Sequence, residues 1–176
     1  PQGWLNRVAQ IARGNGALLI ADEVMTGFGR TGVSRFKCQG SSVQQLKTEN
    51  FKLKTLFACH HENVQPDFLA LAKGLTGGYL PMAATLTTQE VFDAFLGEYD
   101  EFKTFFHGHS YTGNQLGAAA SLASLEILRG EKSIRSRWLL ERALRVELKA
   151  LWSLPNIGDI RQVGLIVGIE LVKNWE

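Results

Sequence analysis

Two short runs built wholly of apolar residues, each ending abruptly in a charge, constrain this chain more than any other feature. Ala17-Leu18-Leu19-Ile20-Ala21 stops at Asp22-Glu23, and Phe68-Leu69-Ala70-Leu71-Ala72 stops at Lys73-Gly74. The first run predicts a buried parallel strand with its acids at the carboxyl end. Ligands bind at that end of open α/β sheets, so carboxylates there are well placed for chemistry. The second run puts a lysine at an element's end, where burial can make an amine nucleophilic. Taken singly, a solvated acid pair and a solvated lysine explain these charges equally well.

The rest of the pattern alternates helices with short strands. Leu5, Val8, Ile11 and Ala12 fall at helical spacing over residues 3–13, and Gly14-Asn15-Gly16 stops that helix. Thr87 predicts a helix cap with Glu90 as its return partner. Residues 115–128 are alanine-rich and predict a helix, and 133–151 predict a second, amphipathic one. Pro155 to Gly158 breaks the latter, and 160–172 alternates as one or two strands. Gly27-Phe28-Gly29-Arg30-Thr31-Gly32 reads only as a tight loop, because it has neither the G-x-G-x-x-G order nor a P-loop ending.

Charge bears on the choice of partner. The chain is net +2, yet residues 33–54 alone hold five basic residues and one acid, leaving the remainder at −2. A single basic segment without an aromatic ladder or a groove-reading motif is weak support for nucleic-acid binding. Segment 33–54 is polar and aperiodic, and reads as an inserted loop, a disordered excursion or translated non-coding sequence. No run approaches the roughly 20 apolar residues of a membrane helix, and two cysteines are too few for a disulfide framework. A soluble, cytoplasmic protein is expected, without nucleic-acid or membrane partners. The N-terminal Pro1, with no initiator Met, suggests a chain that begins mid-protein. A metal-binding reading would draw on Cys38, Cys59, His60, His61 and the His107-Gly108-His109 pair, but the ligands do not fall at a recognised zinc spacing.

If Asp22 and Lys73 face one pocket, a single chemistry accounts for both. Pyridoxal 5'-phosphate (PLP) needs a lysine to condense with its aldehyde and an anion to keep its ring nitrogen protonated. Nearby glycines and hydroxyls could take up the phosphate. A hydrolase would leave the lysine idle and finds no nucleophile elbow here.

The stretches Ala17 to Gly32 and Gln65 to Pro81 resemble the cofactor segments of class III, fold-type I PLP-dependent aminotransferases. Within that class, Phe57 to Asp67, Thr76-Gly77-Gly78 and His107 to Asn114 most resemble the branch that aminates 7-keto-8-aminopelargonate in biotin synthesis. The resemblance implies an α/β chain. It would comprise the second half of the large mixed-sheet domain, residues 1–128 with an atypical insertion at 33–54, and the start of the small α+β C-terminal domain, 129–176. It implies Lys73 as the Schiff-base residue, Asp22 on the pyridine nitrogen, Val24 packed against the ring, and Ser110 reaching the phosphate of the other subunit's cofactor in a homodimer. No metal is implied. The amino donor would be S-adenosylmethionine or lysine, and the product 7,8-diaminopelargonate. The family's upstream phosphate loop, its ring-stacking aromatic and its substrate-carboxylate arginine have no counterpart in these 176 residues. Another class III ω-aminotransferase, or a non-catalytic remnant of one, stays open as an alternative.

Overall fold

The computed structural model describes residues 3–32 and 56–173, so the polar segment 33–54, with Cys38, lies outside the described residues. The chain forms two compact units, Pro1–Met25 with Glu62–Leu125 and Thr26–His61 with Glu126–Glu176.

The first unit opens with helix α1, Trp4–Gly14, and ends it at Asn15 and the left-handed Gly16 as the glycines predict. No Ser, Thr or Asp caps its N-terminus. The carboxylate of Glu62 does so instead, accepting from the backbone N–H of Gly3 (3.0 Å) and of Asn6 (2.9 Å). A distant acid thus satisfies donors that a local cap normally takes, and its charge complements the helix dipole.

Strands β1 (Ile20–Asp22), β2 (Phe68–Leu71) and β3 (Ala84–Thr87) form one sheet in the order β1-β2-β3. Strands β1 and β2 are parallel, with Asp22 opposite Ala70, and β3 returns antiparallel. Asp67 starts the parallel pair. Its carboxylate accepts from the Leu19 N–H at 2.7 Å, and its own N–H donates to the Leu19 carbonyl at 2.9 Å.

Strand β1 departs from expectation in two ways. It is shorter than the apolar run, and it is not buried on both faces: Leu19 is buried while Ile20 is 68% exposed. Among the described residues β1 is an edge strand with one side of its ladder unpaired, and the face carrying Ile20 is open. The expected cap at Thr87 also moves. Thr87 ends β3 opposite Phe68, donating its hydroxyl to the Asp67 carbonyl, and Thr88 caps helix α2 (Gln89–Asp93) by accepting from Val91 N–H. Sheet register decides between the two threonines.

Helix α3, Gln115–Arg129, is capped by Asn114, whose side-chain oxygen accepts from the Leu116 N–H at 2.9 Å. Its face of small residues meets the segment after β2. A Cβ on Gly117 would stand 3.1 Å from the Met82 sulfur, and Ser121 donates to that sulfur and to the Gly117 carbonyl.

In the second unit, helix α4 (Glu131–Glu147) leads through a 3-10 turn to strands β4 (Ile157–Val163) and β5 (Ile166–Leu171), an antiparallel hairpin. The glycine-rich loop docks here. Leu165 N–H donates to the Arg30 carbonyl at 2.8 Å, and Gly164 packs so closely that a Cβ would collide with the backbone of Thr31 and Gly32. Arg137 donates to the carbonyls of Phe28 and Leu128, both at 3.2 Å. Burial pulls its guanidinium pKa below the usual value. Gly29 N–H meets the Leu56 carbonyl at 2.8 Å, and the Phe28 and Phe57 rings meet edge to face at 5.5 Å.

Candidate active site

The parallel pairing of β1 with β2 brings the two charges singled out in the sequence to the same end of one sheet. Asp22 is the last residue of β1. The ladder extends one residue beyond it, through a bond from Glu23 N–H to the Ala70 carbonyl at 3.0 Å. Strand alternation sends the two acids to opposite faces, Asp22 exposed and Glu23 only 2% exposed. Asp22 Oδ1 accepts from Val24 N–H at 3.0 Å, a local turn that sets Val24 beside the carboxylate.

Lys73 follows the end of β2 by two residues. Ala72 is extended, and Lys73 then takes a left-handed backbone, φ 46°, opening the 3-10 turn Lys73–Leu75. Its side chain is exposed, contrary to the burial that would make it nucleophilic. A left-handed conformation is costly for any residue with a Cβ and is concentrated at functional sites. The turn is closed by Leu75 N–H on the Ala72 carbonyl (3.0 Å) and Gly78 N–H on the Lys73 carbonyl (3.2 Å). Buried Thr76 donates to the Leu80 carbonyl at 2.6 Å.

Ser110 lies in an exposed turn leading into α3. The turn is held by Thr112 N–H on the His109 carbonyl at 2.9 Å and by His109 N–H on the Thr112 hydroxyl at 2.8 Å. Among the described hydrogen bonds none joins Ser110 to Asp22 or Lys73. Its exposure leaves the hydroxyl accessible to a second molecule.

The donor set fits PLP: a primary amine and a carboxylate at neighbouring carboxyl ends of parallel strands, with a left-handed glycine pair, Gly77-Gly78, after the amine. Lys73 and Asp22 would hold the cofactor, with Val24 beside the ring. Of the residues in the metal-binding reading, Cys38 lies outside the described residues, His107 and His109 are exposed, and the other three are engaged in packing or side-chain contacts. Cys59 is buried, His60 meets Phe57 edge to face at 5.2 Å, and His61 Nε2 lies 3.0 Å from the Thr31 hydroxyl. Among the described residues no three His, Cys, Asp or Glu side chains gather as a metal site. Sequence reading also misses Asn114 and Ser124, which act on the backbone of this region. Asn114 ahead of an alanine-rich run is a legible capping signal, whereas Ser124 carries none.

Comparison with known proteins gives a consistent picture. The model of the family described as aminotransferase class III matches residues 1–41 and 54–176, and the stretch it skips falls within the polar segment. Over 176 residues the chain is 45% identical to the adenosylmethionine-8-amino-7-oxononanoate aminotransferase of Aquifex aeolicus, covering all of this chain and 34% of that protein. It is 47% identical over 174 residues to the enzyme of the same name from Anoxybacillus flavithermus, covering 99% of this chain and again 34% of the relative. The chain therefore spans about a third of the length of these relatives. The crystal structure of the Methanocaldococcus jannaschii enzyme of that name superposes with a TM-score of 0.80 at 42% identity, over 99% of this chain and 36% of that one. An (S)-enantioselective omega-transaminase from Thermomicrobium roseum gives 0.77 at 32%, over 99% and 33%.

Proposed function

The chain belongs to the class III aminotransferases, and from that premise we propose that it is part of a PLP-dependent enzyme transferring an amino group to 7-keto-8-aminopelargonate, giving 7,8-diaminopelargonate in biotin synthesis. The observation that carries this reading is the pairing of β1 with β2, which sets Asp22 and Lys73 at adjacent strand ends. The substrate is supported by the 45% identity to the Aquifex aeolicus enzyme, above the 32% to the omega-transaminase. Residues 1–128 then belong to the large domain and 129–176 to the small one, and the working form is a cytoplasmic homodimer.

Bound PLP would supply an electron sink for the bond-breaking at the amino donor's α-carbon. Lys73 Nζ would hold the cofactor through its aldehyde carbon and, as a free amine, would move a proton at the donor's α-carbon. Asp22 holds the proton on the pyridine nitrogen, because a fixed anion at that point favours the pyridinium. Val24 orients the ring by packing against its face. Ser110 donates its hydroxyl to the phosphate held by the partner subunit. The donor is S-adenosylmethionine or lysine.

The test replaces the matching third of the Aquifex aeolicus relative with this sequence, then assays amino transfer with each donor. Expected are turnover of 7-keto-8-aminopelargonate, and a borohydride-trapped cofactor on the peptide holding Lys73. A folded chimera that aminates other ketones but not this one overturns the substrate. A label on another lysine overturns the site.

A further inference from the structure

The turn that carries Lys73 holds a backbone conformation that is disfavoured for a lysine. Its φ of 46° lies in the left-handed region, where a Cβ crowds the following carbonyl. The two backbone bonds that close the turn, Leu75 to Ala72 and Gly78 to Lys73, are internal to residues 72–78. They shape the turn but do not fix it against the rest of the unit. One described side-chain bond from another element does so: Ser124 on α3 donates its hydroxyl to the Gly74 carbonyl at 3.1 Å, across 50 residues of sequence.

Ser121, one turn earlier on the same helix, shows what a helical serine ordinarily does. It bonds back to the carbonyl four residues before it, Gly117, at 2.8 Å. Ser124 gives its proton to the Gly74 carbonyl instead. The helix delivering it is itself fixed, by the Asn114 cap and by the close approach of Gly117 to Met82. The bonded carbonyl belongs to the residue directly after Lys73, so a shift there changes where the lysine side chain leaves the backbone.

We propose that Ser124 is a positioning residue for Lys73: its hydroxyl locks the Lys73–Leu75 turn to α3 and so fixes the origin of the amine that anchors the cofactor. This rests on the reading of Lys73 as the anchoring lysine. Positioning of this kind acts on the rate and geometry of attachment, since small displacements of a reacting group are felt strongly.

The experiment strips PLP from the holoenzyme carrying this sequence and follows its reloading by the growth of the visible absorbance band and its induced circular dichroism. Borohydride trapping identifies the labelled lysine. Ser124→Ala is expected to slow reloading roughly three- to tenfold, the worth of one hydrogen bond, and to weaken the dichroism. Ser124→Thr, which keeps the hydroxyl, restores both, and Ser121→Ala leaves both unchanged. If Ser124→Ala does not fold, Ser124→Cys fills the same place with a weaker donor and is expected to slow reloading measurably. With Lys73 labelled, unchanged reloading in the folded Ala or Cys variant overturns the role of Ser124, and so does equal slowing by Ser121→Ala. A label elsewhere in the unsubstituted enzyme overturns the underlying assignment of Lys73 instead.

Discussion

Asp22 and Glu23 are adjacent acids with opposite surroundings, one exposed at the strand end and one buried beneath it. That difference separates a group available to a ligand from one committed to the interior. Asp22→Asn keeps the shape and the Val24 turn but removes the anion, so amino transfer in the full-length enzyme is expected to fall by roughly a hundredfold or more. PLP should still attach to Lys73. Near-normal turnover in that variant would refute the role. The glycines make a second contrast. Gly164→Ala drives a Cβ into the backbone of Thr31 and Gly32, whereas a Cβ on Gly78 meets nothing within 4 Å and suffers only from its φ of 83°. The first substitution is expected to cost about 2–4 kcal/mol and the second about 1–2 kcal/mol, read as the difference between their melting temperatures.

At the scale of elements, the bonds from Glu62 to the start of α1 give a test of long-range capping. Glu62→Ala should destabilise by about 1 kcal/mol and speed amide exchange at Gly3 and Asn6. Unchanged exchange at those amides would show that water serves equally well. The same elements show what the sequence reveals and what it hides. Helix α3 follows from its alanine-rich composition and α4 from its amphipathic pattern, while the alternation behind β4 and β5 left one or two strands open and the structure makes it two. The strand end carrying Asp22 and the turn carrying Lys73 were likewise legible, since an apolar run meeting a charge marks an element boundary. Strand β3 was not. Ala84-Thr85-Leu86-Thr87 is short and mixed, and its pairing with β2 is a tertiary fact that also moves the helix cap from Thr87 to Thr88. The bond from Ser124 to Gly74 is equally invisible, because a serine in an alanine-rich helix looks the same whether it bonds backward or outward.

For the molecule as a whole, the relevant fact is how much apolar surface the described residues leave uncovered. Tyr99 is 94% and Phe106 90% exposed, and Ile20 stands open on the edge strand. Expressed alone, the 176-residue chain is expected to bind hydrophobic dyes, to associate, and to give no PLP-dependent amino transfer. Robust turnover by a monodisperse sample of the isolated chain would contradict this. The ends of the polar segment carry a different consequence. Gly29 N–H donates to the Leu56 carbonyl and Phe28 packs on Phe57, so the described residues on either side of 33–55 are joined at a closed neck. Once a loop's ends are joined, its length enters the free energy only logarithmically, at about 0.6 kcal/mol for each doubling. The neck thus makes the stability of the joined residues depend only weakly on the number of residues between them. Excising residues 33–54 should change the melting temperature of the full-length enzyme by no more than a few degrees, whereas replacing Phe28 or Phe57 by alanine, which opens the neck, should lower it far more.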